Sequence, residues 1–251
     1  MRGQTRSCSI RIDWNALVIN TCPFHTGGMS SELARSYHSP RRRLQAAQTR
    51  AAVLDAATRL FGELGWAATS MRAVAKAAGV SMETVYSGFG SKPDLLAAVM
   101  DVAVVGDDLP IPLAQRDLTL VLGTGTREER VAKAAGIVAA INGRTCDLFQ
   151  ALAQGAATDA SLARQLAVLD ERRRGEVADY SELVAARPAG PLELDEVWML
   201  TSAEVFHLLV HRSGWTPEQY AQWLADQLLR IVSADAMGDT GRPTRTQGKG
   251  L

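Results

Sequence analysis

The stretch TSMRAVAKAAGVSMETVYSGF, residues 69–89, constrains the fold of this chain more than any other. It predicts two short helices held at a fixed angle around one glycine. In the first, Val74, Ala77 and Ala78 keep a 3.6-residue apolar face, and Thr69 or Ser70 stands where an N-cap accepts from the free N–H groups of the first turn. Gly79 ends that helix, because glycine enters the left-handed region without steric cost, and Ser81 restarts the chain as the next N-cap. Val80 and Val85 can pin the second helix to the first. Met82, Glu83, Thr84, Tyr86 and Ser87 are then left pointing mostly outward, and an exposed face on a short, rigidly held helix suits a DNA groove. Taken alone, the stretch also reads as an ordinary helical hairpin.

The flanks favour the first reading. Upstream, residues 49–66 place Val53, Ala56, Ala57, Leu60 and Phe61 on one side of a helix that Gly65 is expected to stop. Downstream, SKPDLLAAVM has Ser91 as cap, Pro93 in the first turn and Asp94 three residues after the cap, the form of a capping box. The run LFGELGWAATSMRAVAKAAGVSMETVYSGFGSKPDLL, with Gly65, Ala75, Gly79, Val80, Tyr86, Phe89 and Lys92 in step, resembles the N-terminal DNA-binding domain of the TetR family of one-component transcriptional regulators. One position departs from the family pattern, in which a bulky or aromatic residue, commonly histidine, precedes the phenylalanine; here it is Gly88. If that residue supports a phosphate contact, affinity here leans more on Lys92 and the basic residues upstream. The helix end is also softer, since glycine weakens a helix by about 1 kcal/mol relative to alanine.

DNA recognition needs contacts that fix register on the phosphates and side chains that read base edges. Thr69 and Ser70 at one helix head and Ser81 at the next stand beside free N–H groups that can anchor phosphates, Lys92 adds a cation, and Arg72 can reach phosphate or a guanine edge. Met82, Glu83 and Thr84 sit where bases are read; Glu83 either accepts from a cytosine amino group or repels wrong sequences. Tyr86 either donates to a phosphate or packs. Arg41, Arg42 and Arg43 are either a solvated charge run or an arm reaching phosphates or the minor groove.

Charge is distributed to match. Net charge is zero, yet residues 41–101 hold eight basic groups against five acidic, residues 1–40 are also net basic, and the remainder is net acidic. A basic head on an acidic body is the polarity expected if only the head meets phosphate. No apolar run approaches the roughly 20 residues of a membrane span, and Cys8, Cys22 and Cys146 form a scattered set that fits a reducing compartment. The expected location is the cytoplasm, with no membrane partner. Residues 1–40 show no sustained period and read as a disordered extension, with Met29 an alternative start; residues 234–251 read as a disordered tail.

The expected fold class is all-α: a helix-turn-helix domain over residues 41–90, then a larger helical effector-binding and dimerisation domain over residues 91–233. Within the body, helices are expected from about Arg127 to Ile141, around Cys146 to Gln154, and from about Asp159 to Ala186. Two more follow, LELDEVWMLTSAEVFHLLVHRSG and WTPEQYAQWLADQLLRIV. The first is apolar on two faces and so should be buried all round. In the second, Tyr220, Leu224, Leu228 and Ile231 make a stripe that Trp223 and Gln227 broaden; the family resemblance implies that these two helices form a four-helix homodimer interface. It also implies an apolar pocket for a small-molecule effector, with Phe149, Tyr180, Trp198, Met199, Phe206 and His207 as candidate lining.

No catalytic constellation can be argued from spacing, and no cofactor is expected. His207 and His211 lie four apart, a metal-compatible spacing, but HExxH and CxxC are missing, so no metal is assigned. A redox role for Cys146 is a lesser alternative. The expected function is a DNA-binding transcriptional regulator, a repressor released from a palindromic operator by a small molecule. An activator of the same fold, a helical protein-interaction module and a helical enzyme using the body's cavity are the alternatives.

Overall fold

In the computed structural model the first helix, α1 (Pro40–Ala68), begins well before Thr49. The run at 41–43 therefore lies in the first turn of this helix. Residues 40–106 and 118–233 are described; the expected extension over residues 1–40, the expected tail over 234–251, and Cys8 and Cys22 lie outside them but for Pro40 at the start of α1. Gly65, with φ 72° and ψ −174°, is non-helical and stops the main run of α1 as expected; a short turn continues after the kink to Ala68, and Trp66 stacks back on Phe61 at 6.0 Å between centroids. A non-glycine residue could not hold that positive φ without strain.

The helix-turn-helix follows as α2 (Met71–Ala78) and α3 (Met82–Phe89), then α4 (Lys92–Val105) leads away. The body comprises α5 (Leu118–Leu122), α6 (Arg127–Ala156), α7 (Ala160–Ala185), α8 (Pro191–Leu200), α9 (Ala203–Phe206), a π-helical turn His207–Arg212, and α10 (Pro217–Ser233). The described residues are all-α with no strand among them.

Two helix boundaries differ from expectation. α6 runs unbroken through the segment 142–145, because Asn142, 6% exposed, turns its amide inward and donates to Thr201 O at 3.1 Å, holding α6 to the end of α8. Conversely, the single helix expected over the segment 192–214 is broken at Thr201 and Ser202, and its second piece, α9, runs on into the π-helical turn. Thr201 donates to Val197 O at 2.7 Å and Ser202 caps α9 by accepting from Val205 N at 3.2 Å. Local Ser/Thr bonds of this kind compete with helix continuation. Nor is α8 buried all round: of its residues only Glu193 is fully buried, held by Arg187 at 2.8 Å, while Met199 is 51% exposed.

One core cluster joins Val53, Phe61, Val74, Val85, Leu95 and Leu96 to Leu148 and Leu152 of α6 and Leu162 of α7, so the core beneath the helix-turn-helix continues into the body. α6 comes close because residue 155 is glycine: a Cβ there would lie 2.9 Å from Trp66 Cγ. A second cluster gathers Val131, Ala135, Phe206, Tyr220, Leu224 and Leu228. In α10 the buried stripe is Tyr220, Leu224, Leu228 and Val232, with Val232 in place of Ile231. Burying each such aliphatic side chain is worth about 1.5–3 kcal/mol. Among the described residues no helix is long and apolar enough to cross a membrane.

Candidate nucleic-acid interface and cavity

The geometry of the helix-turn-helix follows from three local caps. Ser70 Oγ accepts from Ala73 N at 3.1 Å at the head of α2, and Ser81 Oγ accepts from Thr84 N at 3.1 Å at the head of α3. Between them Gly79 sits at φ 68°, ψ 28°, and Val80 N donates to Ala75 O at 3.0 Å, closing the αL turn. Val85, fully buried, pins α3, while Met82, Glu83, Tyr86 and Ser87 are exposed and Thr84 is half-buried beside the Ser81 hydroxyl at 2.8 Å. Ser91 and Asp94 make the reciprocal capping box at the start of α4. Ser70, Ser81, Arg72, Arg41 and Arg43 are exposed; the Arg42 side chain lies outside the described set.

Two of the expected contact residues are engaged elsewhere. Thr69 is 2% exposed and donates to Leu60 O at 2.9 Å and Gly65 O at 2.8 Å, so it clamps the end of α1 and Ser70 alone caps α2. Lys92 Nζ donates to Trp66 O and lies 3.9 Å from the centroid of the Trp66 ring; desolvation lowers its pKa. It ties α4 to the end of α1 rather than standing free for phosphate.

Sequence reasoning missed Arg50. Its guanidinium lies over Phe89 at 4.6 Å and donates to Gly88 O at 3.5 Å, beside a groove lined by Gln45, Thr49, Thr84 and Ser87. The adjacency of α1 and α3 that creates this position has no signature in spacing. A Cβ on Gly88 would meet nothing within 4 Å.

The body encloses a cavity of about 210 Å³ between α4, α6, α7 and α10. Met100, Ile137, Phe149, Val177 and Leu228 supply apolar wall, and Asp170, Arg173, Glu176 and Glu204 a charged edge. Arg173 donates to Trp198 O at 2.7 Å and to Thr201 Oγ1 at 3.1 Å. Burial raises the Asp170 carboxyl, and nearby Glu204 adds to the shift. Of the candidate lining residues, Phe149 and Tyr180 face the cavity. The other four do not: Met199 is at the surface, Trp198 lies beneath the guanidinium of Arg174 at 4.0 Å, Phe206 is core packed edge-on to Tyr220 at 4.9 Å, and His207 stacks on His211 at 5.1 Å.

Cys146 is 1% exposed and donates weakly to Ala203 O at 3.5 Å; burial pushes its thiol up to about 12, with Asp147 and Glu204 adding to the rise. A thiol so held is not a ready nucleophile or redox sensor. The structure does bring Cys146 and Asp147 of α6 to the His207 and His211 pair.

Comparisons with known proteins agree with this architecture. Residues 53–99 match the sequence profile of the bacterial regulatory proteins, tetR family. The HTH-type transcriptional regulator AcrR of Shigella flexneri is 39% identical over 59 residues, so that the match spans 24% of this chain and 27% of that regulator. Among solved structures, NalD, the secondary repressor of the MexAB-OprM multidrug efflux pump in Pseudomonas aeruginosa, is 21% identical with a TM-score of 0.56, over 75% of this chain and 97% of NalD. A transcriptional regulator from Rhodococcus sp. Rha1 is 20% identical with a TM-score of 0.51, over 75% of this chain and 96% of that one. These structural likenesses are of fold.

Proposed function

Because the chain belongs to the TetR family of bacterial regulatory proteins, we propose that it is a cytoplasmic, homodimeric repressor that binds a palindromic operator and is released from it by a small molecule, with no catalytic activity of its own. The observation that carries this reading is the exposed face of α3. Met82, Glu83, Tyr86 and Ser87 stand outward on a helix whose inner side is fixed by the buried Val85, beside the N-termini capped by Ser70 and Ser81 and the exposed Arg72. Phosphates dock on such N-termini and the outward face reads bases. Arg41, Arg43 and Arg50 extend the basic surface along α1.

One α3 reads too few base pairs for useful specificity, and two-fold dimers place recognition helices in successive major grooves about 34–36 Å apart. Leu192, Met199 and Leu208, each at least 41% exposed on α8 and the π turn, support a face completed by a second copy. The cavity's apolar wall and charged edge suit a small, largely apolar effector with one polar group.

Selection of bound duplexes from a random library by the purified protein, at two salt concentrations, tests the reading. The expected result is an enriched palindrome whose affinity falls steeply with salt, as counterion release requires. No enrichment at low salt, or enrichment unaltered by Arg72→Ala and Tyr86→Ala, refutes it.

A further inference from the structure

We infer that Cys146, Asp147, His207 and His211 form a binding site for a thiophilic, imidazole-loving divalent metal of the zinc class. Each residue offers one ligand atom, and the four atoms lie within 4.8 Å of one another. The set is one sulfur, two ring nitrogens and one carboxylate oxygen, a combination that suits Zn²⁺ and its neighbours and excludes Mg²⁺ and Ca²⁺, which take oxygen ligands.

The geometry is that of a site before closure. His211 Nε2 lies 3.9 Å from Asp147 Oδ1, and the two imidazoles stack 5.1 Å apart at 12° between planes. Tetrahedral zinc with bonds of about 2.0–2.3 Å sets its ligand atoms roughly 3.3–3.8 Å apart, so the four must draw in by about an ångström. Three features make that movement easy. The side chains of Asp147 and His211 are 52% and 39% exposed and can swing, and their exposure also gives an ion a way in. The histidines stand on a π turn, a local widening of the helix found disproportionately at functional sites. Nδ1 of His207 is buried without a hydrogen-bond partner, a state rare for a buried polar atom and one that a further ligand or its ordering would relieve.

Cys146 supplies the fixed, buried corner, held on α6 among core residues. The ion would bridge α6 to the turn that leads into α10, at the point where Asp147 faces Gly62 of α1: a Cβ built on Gly62 would sit 3.7 Å from Asp147 Cβ. Binding releases the thiol proton to solvent, leaving thiolate, two neutral imidazoles and carboxylate on the ion.

The test uses the full chain stripped of metal, titrated with Zn²⁺ against a chromophoric chelator and with Co²⁺ by absorption. The expected result is one tight Zn²⁺ per chain and a thiolate-to-cobalt charge-transfer band. Asp147→Asn and His211→Ala alter exposed side chains, so circular dichroism should match the unaltered chain while affinity falls about tenfold or more. Cys146→Ser should abolish the charge-transfer band. Absence of Zn²⁺ uptake overturns the inference. So does uptake unchanged in Asp147→Asn and His211→Ala, which would put the ion on other residues such as Cys8, Cys22, His25 or His38.

Discussion

Lys92 separates the two roles that a cation near a DNA-binding head can have. Its ammonium donates to Trp66 O and lies 3.9 Å from the Trp66 ring centroid, joining the start of α4 to the end of α1. A charged hydrogen bond to a carbonyl contributes about 1.5–3 kcal/mol, and half-burial puts this one near the lower figure. The cation–π contact adds about 0.5–1 kcal/mol at a partly solvated site. Desolvation of the ammonium, which lowers its pKa, offsets part of this gain, and methionine keeps most of the aliphatic stem against the indole, so Lys92→Met should lower stability by about 1 kcal/mol. For a chain of this size that is a fall in Tm of roughly 2–4 °C. Thermal unfolding by circular dichroism reads the first effect, and operator affinity across a salt series reads the alternative. Each phosphate contact contributes about 0.9 to the slope of log affinity against log salt, so a structural Lys92 leaves that slope intact, whereas Arg72→Ala reduces it with stability changed by no more than about 0.5 kcal/mol. An unaltered Tm for Lys92→Met together with a slope lower by about one would refute the reasoning and return Lys92 to the phosphates.

Two further outcomes concern α3 and the core of the body. Gly88→Ala, at a helical position where a Cβ meets nothing within 4 Å, should stabilise α3 by up to about 1 kcal/mol, raising Tm by a few degrees without loss of operator affinity; a fall in Tm would mean the space beside Arg50 is not open. Tyr220→Phe should lower stability in urea by about 1–2 kcal/mol, because the phenol donates to Leu200 O at 2.9 Å and accepts from Asn142 Nδ2 at 3.4 Å, while the ring packing on Phe206 is kept. Burial pushes that phenol up to about 12 from an ordinary value of about 10. The folded state therefore holds the proton longer than the unfolded state, and the contribution, whole below about pH 10, is lost as pH rises toward about 12. Urea titrations through this window should show a decline in the unaltered protein that is smaller in Tyr220→Phe.

What was legible in the sequence is the chemistry that acts over three or four residues. Ser70, Gly79, Ser81 and the Ser91 and Asp94 box are caps whose donors and acceptors lie within one turn, and each occupies the place its residue type dictates. Where contacts span longer separations, the sequence offered residue types without addresses. Lys92 reads as a free cation because its partner Trp66 lies 26 residues upstream. Asn142 and Gly143 read as a break because the carbonyl that satisfies the Asn142 amide is 59 residues away. The candidate cavity lining fails at Met199 and Phe206 for an identifiable reason. A continuous helix would set these two, seven residues apart, on one face, whereas the break at Thr201 and Ser202 separates them, leaving Met199 at the surface and Phe206 in the core. Phe149 and Tyr180, on the unbroken helices α6 and α7, do line the cavity.

The same long-range packing bears on how an effector would act. Met100 and Phe149 line the cavity and also belong to the core cluster that holds Phe61, Val74, Val85 and Leu95. The head therefore has no core of its own that could stay indifferent to the cavity's contents. A close-packed interior resists local deformation, so an occupant that displaces either side chain must be accommodated by α4 or α1, and through them by the placement of α3. An effector shifts this equilibrium only by its difference in affinity between the two placements. Lowering operator affinity about 100-fold requires about 2.7 kcal/mol of such difference. One or two effector methylenes buried in only one of the placements supply about 0.8 kcal/mol each, and a single hydrogen bond to the charged edge at Arg173 or Glu176 makes up the remainder.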